Sequence, residues 1–109
     1  MANTFKLKTK ANVGVTTVGI YTAPAATTTV VIGITLANTS GSGVNVGVGV
    51  TRAGTTEDVK LLKNAPIPSG SSLEFMAGNI VVLEATDTVT VDSDTNNSVD
   101  AALTIMEIT

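Results

Sequence analysis

The chain has no cysteine, no histidine and no tryptophan, and only three aromatics among its 109 residues: Phe5, Tyr21 and Phe75. Without cysteine, neither a disulfide framework nor a thiolate metal site can form. Without histidine as well, the usual nucleophile–base pairs of covalent catalysis are missing. A serine or threonine acting with a lysine remains, but every lysine falls in a pattern that reads as a solvated strand face. Paired carboxylates that cleave glycosides work in grooves lined by aromatics, which this composition does not furnish. The expectation is a non-enzymatic chain that takes no cofactor. No apolar run nears the length of a membrane span. The opening MANTFKLKTKANVG interleaves lysines with polar residues and lacks the apolar stretch of a signal peptide. A soluble protein made in the cytoplasm, without a membrane partner, is the default.

Valine and threonine dominate what is present; both are β-branched and suit a pleated surface. A chain of this length fits one domain, residues 1–109, and buries roughly two-thirds of its unfolded surface, enough for one core. Period-two alternation is the clearest pattern. In Thr4–Lys10, Phe5 and Leu7 face one way, toward the core, and Lys6, Lys8 and Lys10 the other, toward water. Val15–Tyr21 reads as a second strand. Thr27–Ala37 reads as a third, with Val30, Ile32, Ile34 and Leu36 sharing one face. Val44, Val46, Val48 and Val50 alternate with Asn45, Gly47, Gly49 and Thr51 in the cleanest strand of the chain.

Further strands are predicted at Glu57–Lys63, Ser72–Met76, Ile80–Glu84, Thr88–Asp92 and Val99–Ile108. Turn signals separate them, among them residues 38–43, 53–56, 77–79 and 92–98. Residues 64–70, with Pro66 and Pro68, read as an extended connection. No window carries a capped helical stripe. Eight to nine short strands at this spacing predict an all-β, antiparallel β-sandwich, jelly-roll-like.

Net charge is −3 but unevenly spread. Residues 1–56 carry Lys6, Lys8, Lys10 and Arg52 and no acid; all nine acids lie in 57–109 beside Lys60 and Lys63. Such asymmetry either orients a subunit against a charged neighbour or disappears when strands of the two halves interleave. Three alternating lysines without an aromatic platform make no nucleic-acid footprint.

Asp92 to Asp100 is the most site-like cluster, opening as Asp-x-Asp-x-Asn in the manner of a calcium loop. Its sixth position is Asn97 rather than glycine and its twelfth is Leu103 rather than glutamate, so the calcium reading fails and an acidic turn is expected. Gly47 and Gly49 either open a bare face to another backbone or mark a bulge. Ile67, standing exposed between two prolines, is a candidate docking position. The expected partner contacts are Lys6, Lys8, Lys10, Gly47, Gly49 and Ile67.

Four segments in order, MANTFK at 1–6, YTAPAATTTVVIG at 21–33, IPSGSSL at 67–73 and VDAALTIMEIT at 99–109, resemble the small virion structural proteins of tailed bacteriophages, especially marine and cyanobacterial phages. The resemblance runs the length of the chain. It implies a particle component in many copies: a capsid decoration or cement subunit on the major capsid protein, or a neck, tail or baseplate part. It implies a homo-oligomer located in the virion. A host-surface or carbohydrate-binding sandwich is the rival.

Overall fold

A computed structural model of the chain describes residues 3–54, 57–75 and 80–109. Nine strands run through them: β1 Asn3–Val13, β2 Val18–Thr22, β3 Thr28–Asn38, β4 Val44–Arg52, β5 Glu57–Ile67, β6 Ser72–Phe75, β7 Val81–Leu83, β8 Thr88–Ser93 and β9 Val99–Ile108. They form two antiparallel sheets, β1-β9-β3-β6/β7 and β2-β8-β4-β5. Pairing is nested: β1 with β9, β2 with β8, β3 with β6 and β7, and β4 with β5. That is one long antiparallel ribbon rolled over itself, the jelly roll that the alternation predicts. β6 and β7 lie in line along one edge of β3, Phe75 opposite Ile34 and Val81 opposite Val31.

Between the sheets lies a core almost without aromatics, in which Ile34, Leu36, Val48, Leu83, Leu103 and Ile105 are completely buried. β9 reads out its alternation without a break: Val99, Ala101, Leu103, Ile105 and Glu107 are buried and the residues between them are not. Truncating such a residue leaves a cavity as well as losing transfer energy; Leu103→Ala costs about 3 kcal/mol on that basis.

Local backbone explains where strand bounds depart from the pattern. Asn12 takes a left-handed φ of 59° and the β1–β9 register breaks between Lys10 and Val13. Val15 is consequently exposed, and β2 starts only at Val18, later than predicted. The crossing between the sheets is tied down by Ser93 N–H to Gly14 C=O (3.0 Å) and Ser98 N–H to Val13 C=O (3.1 Å).

In β3 a bulge falls between Val31 and Gly33. The extra residue, Ile32, reverses the alternation, so Val31 and Thr29 point inward before it and Ile34 and Leu36 after it. The single apolar face expected for Val30, Ile32, Ile34 and Leu36 is therefore split. β5 runs four residues past its predicted end and contains Pro66, tolerated because β5 is the sheet's outer strand. Part of the expected turn at 53–56, part of the strand at 72–76 and the turn at 77–79 lie outside the described residues.

Candidate interaction surface

The register of β1 on β9 decides what the first strand offers. Lys6 lies opposite Ile105 and Lys8 opposite Leu103, both buried, so these lysines sit on the inner face of the sheet. Phe5 and Leu7 point outward, 69% and 66% exposed. The alternation is as expected and the faces are reversed. The inner face tolerates lysine because the facing strand β2 has only five residues against eleven in β1, and because a buried carboxylate waits there.

That carboxylate is Glu107. Its Oε1 lies 2.9 Å from Lys6 Nζ, and its Oε2 accepts a 2.6 Å hydrogen bond from the Tyr21 hydroxyl. With the tyrosine proton so committed, Thr29 Oγ1 donates to Tyr21 Oη at 2.8 Å. The bond from Tyr21, and then the one from Lys6, holds the Glu107 carboxyl below its usual pKa of 4.5. Burial first, then the bond to Glu107, pushes Tyr21 up to about 12. The arrangement binds β1, β2, β3 and β9 together. Lys6, itself exposed, is thereby paired within the chain, Lys8 is half-buried and Lys10 is exposed.

Gly47 and Gly49 are buried, not a bare face open to a partner. Beside them β5 is bulged twice, with register shifts at Val46/Val48 and Val48/Gly49. The bulges carry β5 carbonyls over the glycines. A Cβ on Gly49 would lie 2.9 Å from the Val59 oxygen, and one on Gly47 would lie 2.5 Å from Asp92 Oδ1. The backbone these glycines admit is the chain's own.

Ile67 is likewise a correction: it is 1% exposed. Asn38, itself buried, donates from Nδ2 to the Ile67 carbonyl (2.9 Å) and the Ser42 carbonyl (2.8 Å), and its Oδ1 accepts from Ser40 N–H (2.9 Å). These bonds pull residue 67 into the core and close the β3–β4 turn.

The acidic turn spends its carboxylates on separate donors. Asp94 Oδ1 accepts from Asn45 N–H (3.1 Å), Asp100 Oδ1 from Asn12 N–H (3.0 Å) and Asp92 Oδ2 from the Thr17 hydroxyl (3.0 Å). No three ligating groups converge among the described residues. The charges of the two halves do mix. Arg52 Nη2 meets Glu84 Oε2 at 2.7 Å. Its Nε lies 3.0 Å from Asp87 Oδ2 without aiming its N–H there, a coulombic contact rather than a hydrogen bond.

What the sequence reading missed is the outer face of the β1-β9-β3-β7 sheet. Phe5 lies opposite Met106, Met106 opposite Val30, and Val30 opposite Val82, an apolar row four strands wide. Leu7, Ile32 and Ile80 flank it, 66%, 39% and 62% exposed. A contiguous exposed apolar row of this kind is a candidate interaction surface.

No family model and no curated protein matches the chain. Among solved structures it is similar in fold to a chain of the Bacillus endospore appendages, described as a novel family of disulfide-linked pili, with a TM-score of 0.57 and 17% identity over 99% of this chain and 87% of that one. It is also similar to a chain of the T13 IBDV viral particle, with a TM-score of 0.59 and 12% identity over 96% of this chain and 30% of that much longer one. At these identities the likeness is one of fold, a two-sheet sandwich.

Proposed function

We propose that the chain is a non-enzymatic structural subunit of a tailed-bacteriophage particle, a decoration or cement protein on the outer head lattice. The observation that carries this reading is how the molecule divides its groups. The buried carboxylates of Glu107 and Asp87 are spent on holding strands and turns together, while a broad apolar sheet face stands open. A cement role needs a rigid sandwich, a contact face and many symmetric neighbours, so that modest contacts per copy add through avidity. Its support is twofold: the segment order that resembles small phage virion proteins, and the occurrence of this fold in a viral particle and in pili. The expected partners are the major capsid protein and other copies of the chain, in the virion.

Copy number and position in a density map of the native particle test it. Decoration predicts on the order of hundreds of copies on the head, and about a dozen or fewer at a neck or tail station would move the protein there. Absence from the particle would overturn the proposal. Docking through an exposed basic side chain predicts that Lys10→Glu empties the sites, while unchanged occupancy removes that lysine from the contact. Lys6 is left intact in that test because it holds Glu107.

A further inference from the structure

The outer face of the β1-β9-β3 sheet is divided along its strands into a raised end and a hollow end. The raised end is the Phe5–Met106–Val30–Val82 row. Four residues along β1 lies a row of small side chains, Thr9 opposite Ala102 and Ala102 opposite Thr35. Together with Ala11, Ala37 and Asp100 they line an open hollow of about 300 Å³. Leu7, opposite Thr104, lies midway between the two ends.

We infer that this face binds a second copy of the same chain, face to face about a twofold axis. The shape argument is specific to a second copy. An axis lying between the faces at the level of Leu7 and Thr104, parallel to the strand hydrogen bonds, sets the raised row of each copy over the hollow of the other. The surface is then self-complementary, as an isologous interface requires. Stacked sheets lie about 10 Å apart, a spacing that large side chains fill best against small ones, as Phe5 and Met106 would over the alanines.

Charge agrees. Among the described residues of these strands, the acidic side chains of this outer face are Glu74 and Asp100, both at the hollow end, and Asp100 already accepts from Asn12 N–H. Lys10 at the rim of the hollow is of opposite sign. The apolar rows themselves bury no charge. Size agrees as well: four strands about 4.8 Å apart and ten residues at about 3.3 Å each give a face of roughly 600 Å². Two such faces bury on the order of 1,200 Å², the lower bound for a specific interface. The dimer deepens the assembly reading and rests on its premise of contacts between copies.

Sedimentation equilibrium of the purified chain tests it, apart from any particle. A mass of twice one chain is expected, and Phe5→Asp and Ala102→Arg, at opposite ends of the face, each reduce it to that of one chain while leaving the folded spectrum intact. Val59→Asp, 41% exposed on β5 of the other sheet, leaves the dimer in place. The inference is overturned by a wild-type chain that stays monomeric up to about 1 mM, the weak end of specific affinity. It is equally overturned by a dimer indifferent to both face variants, or by one that Val59→Asp breaks as well. Loss of the dimer leaves particle occupancy to be measured independently, so the two readings fail separately.

Discussion

The two sheets of this sandwich treat their outer faces in opposite ways. On the β2-β8-β4-β5 sheet the outward positions of the central strand β4 are Gly47 and Gly49, and the molecule seals them itself with the Val59 and Leu62 carbonyls, Asp92 and Thr90. On the sheet of β1, β9, β3 and β7 the outward positions are Phe5, Leu7, Met106, Val30 and Val82, and Phe5 and Leu7 are two-thirds exposed among the described residues. There a Cβ on Gly33 would meet no atom within 4 Å. One face is closed by its own backbone and side chains, and the other stands exposed. Glycine has opposite meanings on the two.

The largest expected effect follows from that contrast. Gly49→Ala forces the Val59 carbonyl, at 2.9 Å from the new methyl, and the Thr90 hydroxyl, at 3.1 Å, to give way. Backbone cannot swing aside as a lysine tip does, so the cost is about 3 kcal/mol, in the overpacking range. Gly33→Ala, with open space and no left-handed φ, changes stability by less than about 0.5 kcal/mol. Urea titrations of the pair check this. Equal midpoints would mean that β5 is not seated over β4 as described.

A middling effect is expected where the inner face of β1 meets the facing sheet. Glu107→Ala leaves the Tyr21 hydroxyl and the Lys6 ammonium without their acceptor and costs about 2 kcal/mol. The pH dependence carries a definite sign. The folded pKa of Glu107 lies below its ordinary 4.5, so its contribution is full above 4.5 and is lost as pH falls through the lower folded value. Tyr21 acts at the other extreme. Its folded pKa is about 12 against an ordinary 10, so that contribution is full below 10 and is lost as pH rises toward 12. Tyr21 is the sole tyrosine and tryptophan is absent, so phenolate absorbance reports it directly. A phenol titrating near 10 in the folded protein would remove the Glu107 bond.

The same contrast shows what was legible from sequence. Val44–Arg52 and Val99–Ile108 could be read because alternation is local and both strands are central in their sheets. The alternation of β1 was equally plain, yet its sense was hidden: an alternating strand does not say which face is inside until its partner's register is known. Here the partner is β9, about a hundred residues away, and Ile105 opposite Lys6 settles it. The bulge at Ile32 was invisible for the same reason, since one extra residue matters only against a neighbour. Ile67 was misread because its burial depends on the Asn38 amide, 29 residues earlier. The outer apolar row was missed because Phe5, Met106, Val30 and Val82 come from four separate strands.

The smallest effect on the fold is expected at the most apolar positions of the bare face. Phe5→Ser and Leu7→Ser remove large hydrophobic side chains that are two-thirds exposed in one copy, so at low concentration each shifts stability by less than about 0.5 kcal/mol. If the face is shared with a second copy, however, stability becomes a function of protein concentration, because association draws on the folded state alone. The wild-type melting temperature then rises with concentration, and the two serine variants lose that slope while keeping the low-concentration value. Thermal scans over a wide dilution series separate the cases. A large loss at every concentration would mean that the face is an internal core surface, covered within one chain. A slope that survives both substitutions would move self-association to another part of the molecule.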